Sequence, residues 1–188
     1  MATCDFFVSV TASFRVLYVF VAMEIGSRRI LHFNVTEHPT AEWTTQQFRE
    51  FLLFDHPYRY VLHDRDSIFS ANLNTALQGF GVRVLKTPVR APKANAFCER
   101  LIGTIRRECL DFLIPFGERH LKRILSEFVV HYNRGRPHSS LGPGIPEPPQ
   151  AQVPAGPHRH TLPIGCRVTS RPVLGGLHQE YGLEKEAA

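Results

Sequence analysis

The sequence predicts an α/β fold, a mixed five-stranded sheet flanked by helices, followed by a tail rich in proline and glycine. Three observations support this fold class. Three β-branched and aromatic runs open the chain, two shorter apolar runs each follow a helical pattern, and residues 141–188 hold 8 of the 14 prolines. We predict a core over residues 1–140 and a linker with a short β appendage over residues 141–188.

The first three strands are predicted at residues 4–10, 16–24 and 29–35, with the sequences CDFFVSV, VLYVFVAME and RILHFNV. Branched and aromatic side chains of this kind suit a pleated, half-buried surface. Only short turns separate the three runs, which is the spacing of hairpins, so we expect an antiparallel meander.

The middle of the chain alternates helical and strand patterns. Helical periodicity begins after Thr40, a predicted N-cap, and continues to about residue 54. A strand over 60–63, a helix over about 71–80 that Gly81 closes, and a strand over 82–85 follow in that order. Because each of these strands follows a helix, we expect both to join the sheet in parallel.

A long helix is predicted from about residue 95 to 113 and another from about 118 to 132. Glu99 lies along one edge of the long helix's apolar stripe, together with Asn95 and Arg106, and is placed to face past the core toward the sheet. The stripe consists of Cys98, Leu101, Ile102, Ile105, Cys109 and Phe112. In the tail, short strand signals occur at residues 164–169 and 172–174.

Charge is distributed unevenly along the chain. The formal net charge is +5, but residues 81–140 alone carry twelve Lys and Arg against five Asp and Glu. A basic middle segment favours a polyanionic partner such as nucleic acid, although a solvated basic helix face is the alternative. We find no apolar run long enough for a membrane span and no signal-peptide pattern, and the four cysteines lack metal-type spacing. We therefore expect reduced thiols in a cytoplasmic protein without a membrane partner.

Three carboxylates hold special places in this layout. Asp5 lies within the first strand, Asp64 ends the fourth, and Glu99 lies on the long helix. Three alternatives remain open: Asp5 could face solvent, Asp66 could take the place of Asp64, and Glu99 could be an ordinary solvated charge. Converging acids repel each other unless divalent cations join them, and oxygen-only ligands favour Mg²⁺ or Mn²⁺. Two such ions could support an in-line attack on a phosphodiester, whereas no Cys/His set has zinc spacing.

These residues resemble the integrase catalytic core of the retroviral-integrase and insertion-sequence transposase superfamily. The resemblance covers about residues 4–146 and is carried by four segments in order. They are the opening strand with Asp5 and VLYVFVAMEIGSRRILHF at 16–33, HDRDSIF at 63–69, TPVRAPKANAFCERLIGTIRREC at 87–109, and HYNRGRPHSSLG at 131–142. It implies a ribonuclease-H-like fold and a DNA transposase or integrase that cleaves phosphodiesters and joins a 3′-hydroxyl to target DNA.

The resemblance also implies an Asp-Asp-Glu triad made of Asp5, Asp64 and Glu99, which would bind two Mg²⁺ ions. It implies element ends and target DNA as partners, and a homo-oligomer in a synaptic complex within the bacterial cytoplasm or nucleoid. The expected DNA-binding residues are Lys86, Arg90, Lys93, Asn95 and Arg106.

The chain departs from the family pattern in three places, one of which is the spacing of 34 residues between Asp64 and Glu99, one fewer than in many relatives. Asp64-Arg65-Asp66 stands where Asp-Asn-Gly is usual, and only four residues precede Asp5, where relatives carry a helix-turn-helix region. The sequence thus looks like a truncated or domesticated fragment. Two alternatives stay open: an inactive DNA-binding or assembly module, and a metal-dependent nuclease of the same fold.

Overall fold

The computed structural model describes residues 1–52, 56–64, 71–86, 95–142, 144–148, 162 and 164–185. Two compact units are present, Met1–Ser126 and Glu127–Ala188, and the division falls within a helix. The boundary at residue 140 between a core and a tail stays a prediction. Much of the predicted linker, residues 149–161, lies outside the described residues.

The first unit contains a five-stranded sheet with the order β3-β2-β1-β4-β5. Its strands are β1 (Ala2–Val10), β2 (Val16–Glu24), β3 (Ile30–Thr36), β4 (Tyr60–His63) and β5 (Arg83–Lys86). The first three strands pair antiparallel, whereas β4 pairs parallel with both β1 and β5. The predicted mixed sheet, with an antiparallel meander and two parallel additions, is confirmed.

Helices α1 (Ala41–Phe51) and α2 (Ala71–Gly79) pack on one face of the sheet. Thr40 caps α1 as predicted, because its hydroxyl accepts a hydrogen bond of 3.1 Å from the Trp43 amide. Gly81 closes the turn after α2 with a φ of +79°, a conformation that suits glycine. The core cluster on this face includes Cys4, Phe20, Phe48, Val61, Leu73, Leu77 and Val82.

Helix α3 (Ala96–Ile105) packs against β1 and β2, and it continues as a π-helical turn over Arg106–Leu110. Cys98, Leu101, Ile105 and Cys109 are buried as the predicted stripe requires. Phe112, however, is 63% exposed, so its place in the stripe was wrong. The π-turn holds more residues per turn than an α-helix, which rotates the following positions away from the buried face.

The second unit contains the last turns of α4 (Glu118–Arg134) and a hairpin of β6 (Cys166–Val173) and β7 (His178–Lys185). Phe128, Tyr132 and Val173 are buried in it. The His131 ring stacks on His178 with centroids 4.6 Å apart. The two predicted short strands of the tail are one continuous strand, β6, and β7 was not predicted.

Candidate active site

Asp5 lies in the middle of β1, half-buried, on the face of the sheet that α3 covers. Side chains alternate along a strand, so Thr3 and Asp5 share this face while Cys4 points to the opposite core. Each carboxylate oxygen of Asp5 accepts a hydrogen bond: Oδ1 accepts one of 2.8 Å from the Phe6 amide and Oδ2 one of 3.0 Å from Asn95 Nδ2. The protein thus fixes both the position and the rotation of this carboxylate.

Asp64 directly follows β4, at the carboxyl end of that strand. The parallel register pairs Ala2 with Val61 and Thr3 with Leu62. Extending the same offset by two residues brings Asp5 level with Asp64 on the neighbouring strand. The carboxyl ends of parallel strands are where ligand sites collect in sheets of this kind. Asp66, the alternative second acid, lies outside the described residues.

The backbone at Asp64 is held by a buried histidine. His63 Nδ1 lies 2.6 Å from the Asp64 carbonyl oxygen, and its Nε2 lies 3.1 Å from Asn74 Oδ1 on α2. The His63 side chain is fully buried. This imidazole therefore links the end of β4 to α2 and restrains the point where Asp64 leaves the strand.

Glu99 lies in the first turn of α3 and is exposed. Its backbone amide donates a hydrogen bond of 3.0 Å to the Asn95 carbonyl, which anchors it to the start of the helix. A carboxylate in the first turn also interacts favourably with the positive end of the helix dipole.

The three carboxylates act on one common neighbour, the thiol of Cys98. Burial raises the pKa of Cys98, and the negative charges of Asp5, Glu99 and Asp64 raise it further. Cys4 behaves in the same way: burial raises the pKa of its thiol, and Cys98, Asp5 and Asp64 add to the effect. Each of the three acids therefore lies within electrostatic range of the Cys98 thiol.

The acids do not form a closed metal cage in this conformation. Among the described residues, no group of three or more His, Cys, Asp or Glu side chains has a geometry that could hold a metal ion. The segments 65–70 and 87–94, which adjoin Asp64 and the start of α3 in sequence, lie outside the described residues.

Of the expected DNA-binding residues, two are exposed, two lie outside the described residues and one is buried. Lys86 ends β5, is exposed, and pairs in register with His63, next to Asp64. Arg106 is exposed at the π-turn, where it donates a hydrogen bond of 3.3 Å to the Val8 carbonyl and lies over the Phe7 ring. Arg90 and Lys93 lie outside the described residues. Asn95 is only 4% exposed, so it is placed inside the protein rather than on a DNA-facing surface.

Residues 80–146 match the family described as an integrase core domain. Transposases InsD of Escherichia coli, for insertion element IS2E and for IS2A/D/F/H/I/K, are each 28% identical over 137 residues. The BIV integrase catalytic core domain superposes with a TM-score of 0.57 at 16% identity, covering 77% of this chain and 90% of that one. The chain has the fold of an integrase catalytic core.

Two further viral structures share this integrase-core fold. A simian T-cell lymphotropic virus intasome matches with a TM-score of 0.61 at 12% identity, covering 98% of this chain and 67% of that one. The HTLV-2 integrase catalytic core, solved in complex with magnesium in a trimeric form, matches with a TM-score of 0.53 at 12% identity, covering 70% and 83%. The predicted resemblance and fold are thus confirmed.

The chain spans only part of the length of the curated transposases that it matches. The alignments cover 67% of this chain but 62% and 44% of the two InsD proteins. None of the helices among the described residues is both long and apolar enough to cross a membrane.

Sequence reasoning missed two residues that support the acids of this core, Thr3 and His63. Each is a fully buried polar side chain on a strand, one or two positions from an acid. A polar residue in an otherwise apolar strand was the available signal, because such a group is stable only where it finds a hydrogen-bond partner.

Proposed function

We propose that this chain is the catalytic core of a DNA transposase, which carries out Mg²⁺-dependent phosphodiester cleavage and DNA strand transfer. The observation that carries the proposal is the integrase-core sheet, in which the parallel register of β1 and β4 brings Asp5 level with Asp64. The position of Glu99 in the first turn of α3, the helix that packs on β1, supports it. The similarity to InsD transposases favours DNA as the substrate.

The chemistry of the donor set fits a hard divalent cation. Asp5, Asp64 and Glu99 offer only carboxylate oxygens, which suit Mg²⁺ or Mn²⁺ better than zinc. We expect Asp5 and Asp64 to hold both of two ions and Glu99 to complete the coordination of one. When bound, such a pair of ions activates the attacking oxygen and stabilises the leaving oxygen of a phosphodiester.

The protein's own contribution is positioning. The hydrogen bonds to Asp5 hold its carboxylate against the start of α3 and restrict its rotation. The exposed cations of Lys86 and Arg106 would contact phosphates on either side of the acids. Arg90 and Lys93 are proposed to do the same from the segment before α3.

We further propose that copies of the chain assemble on DNA as a homo-oligomer, with element ends and target DNA as partners, in the bacterial cytoplasm. The solved neighbours include an intasome and a trimeric form, which supports an assembly of this kind.

A strand-transfer assay tests the proposal. A precleaved DNA duplex with an exposed 3′-hydroxyl is incubated with a supercoiled plasmid and Mg²⁺ or Mn²⁺. We expect joined product from the parent and from Asp111→Asn, an exposed carboxylate that serves as the matched control. Asp64→Asn and Glu99→Gln should give none.

Two other outcomes would replace the proposal. Hydrolysis of the duplex without a joined product would identify a nuclease of the same fold. DNA binding without metal binding, cleavage or joining, unchanged in Asp64→Asn, would identify an inactive DNA-binding or assembly module.

A further inference from the structure

We infer that Asn95 is a positioning residue: its side-chain amide holds the Asp5 carboxylate and ties it to the start of α3, the helix that carries Glu99. The inference rests on the proposed function, because it concerns the same acids. Asn95 Nδ2 donates hydrogen bonds of 3.0 Å to Asp5 Oδ2 and 3.3 Å to the Cys4 carbonyl, and Asn95 Oδ1 accepts one from the Thr3 hydroxyl.

The chemistry of these partners fixes the orientation of the Asn95 amide. The Asp5 carboxylate and the Cys4 carbonyl are both acceptors, so the NH₂ group must face them. The Thr3 hydroxyl can donate, so it suits the amide oxygen. The opposite orientation would place the amide oxygen against two acceptors. Thr3 therefore acts through Asn95, because it keeps the donor side of the amide turned toward Asp5.

The side chain of Asn95 bonds to β1 instead of capping its own helix. Asn95 occupies the N-cap of α3, where asparagine commonly accepts a hydrogen bond from the first turn, yet it makes no side-chain cap bond here. Its side chain instead crosses to β1, some 90 residues earlier in the chain. Its backbone carbonyl accepts from the Glu99 amide. One residue therefore connects the first acid to the third.

Burial makes this connection rigid. Thr3 is fully buried and Asn95 is 4% exposed, so water does not compete for their hydrogen bonds. A buried amide that loses a partner is costly, which restricts the alternatives open to Asn95. Support of this kind behind a ligand typically changes metal affinity about 10- to 100-fold.

The test measures Mn²⁺ binding to the full chain by calorimetry, with thermal unfolding in the absence of metal as the measure of fold. Asn95→Ala removes the amide, and Thr3→Val removes only the hydroxyl that orients it. Thr104→Val is the matched control. This threonine lies on the same helix, and its hydroxyl donates only to the Arg100 carbonyl of its own helix.

We expect Asn95→Ala to bind Mn²⁺ about 10- to 100-fold more weakly than the parent. Thr3→Val should show a smaller loss, and Thr104→Val should bind as the parent does. If Asn95→Ala binds Mn²⁺ as tightly as the parent, the inference about Asn95 is wrong and the proposed function still stands. This holds even if Asn95→Ala unfolds at a lower temperature. A parent that binds no Mn²⁺ would overturn the proposed function and the inference with it.

Discussion

The substitution Asp64→Asn tests two effects of the predicted acids: their mutual repulsion in the metal-free protein, and the stabilisation that they provide when they bind metal. Neighbouring strands lie about 4.8 Å apart, and the register extended from β4 brings Asp5 level with Asp64, so we expect a separation of about 5–8 Å between the two carboxylates. At an effective dielectric constant of about 20–40, two like charges at that distance repel by about 1–3 kcal/mol. We therefore expect Asp64→Asn to raise the free energy of unfolding of the metal-free protein by about that amount.

The same substitution should remove the stabilisation by metal. Mn²⁺ at about 1,000 times its dissociation constant stabilises a protein by about 4.1 kcal/mol. We expect this gain in the parent and not in Asp64→Asn. The result is an inversion: the variant is the more stable protein in EDTA and the less stable one in Mn²⁺.

Chemical denaturation followed by tryptophan fluorescence measures both effects. Trp43 is the single tryptophan of the chain, and its ring lies 6.2 Å from that of Phe6 on β1, so it reports on the unit that holds the acids. Asp111→Asn serves as the control, and its free energy of unfolding should equal that of the parent both in EDTA and in Mn²⁺. The reasoning is refuted if Asp64→Asn unfolds more readily than the parent in EDTA, or if Mn²⁺ stabilises it as much as the parent.

Three further predictions concern the pH response, the DNA affinity and the core. Partial burial by itself raises the pKa of Glu180, but hydrogen bonds from Arg171 and His131 outweigh it and leave the pKa below the ordinary 4.5. The stabilisation that ionised Glu180 provides is therefore complete above pH 4.5, and it is lost as the pH falls through the lower pKa of the folded state. Glu180→Gln should lower the free energy of unfolding by about 1–2 kcal/mol at pH 7. In a series of thermal unfolding experiments, the melting temperature of this variant should also fall less than that of the parent as the solution is acidified. DNA affinity should fall steeply between about 50 and 200 mM salt, because Lys and Arg displace condensed counterions, and a flat titration would contradict the basic segment as the contact surface. Phe48→Ala, at a fully buried ring 5.4 Å from that of Phe20, should lower the free energy of unfolding by about 3–5 kcal/mol in urea denaturation, and a loss below 1 kcal/mol would contradict its place in the core.

Much of the sheet could be predicted from the sequence because its strands are encoded locally. The run at Val16–Glu24 is continuous and apolar, and its predicted bounds equal those of β2. Thr40 and Gly81 mark helix ends through their own backbone and side-chain chemistry. In each case the residues that form the element also carry its signal.

The predictions failed where distant partners decide the structure. β7 has the sequence HQEYGLEK, in which only Tyr181 and Leu183 are large and apolar. It is stabilised by pairing with β6, including contacts of Arg167 with Glu184 and of Arg171 with Glu180. The end of the apolar stripe on α3 was missed because a regular helical period cannot anticipate a π-turn.

For the candidate site, the sequence predicted which acids to expect there but not which residues hold them in place. Asp5 and Asp64 follow from their places on strands, and their roles stay predictions. Asn95 was expected to contact DNA because it lies beside Glu99 and Arg106 on the helix surface. Its contact with Asp5 depends on how α3 docks on β1, which no local pattern encodes.

The hydrogen bond from Arg106 to the Val8 carbonyl has a consequence for solubility. In the described part of the chain, β4 pairs with β1 at Ala2 and Thr3, whereas Val8–Val10 pairs with β2. A strand edge without a neighbour invites another chain to add to it, and natural proteins often guard edges with a positive charge. Arg106 places its guanidinium on that edge. A positive charge at this place disfavours the addition of a further strand to β1.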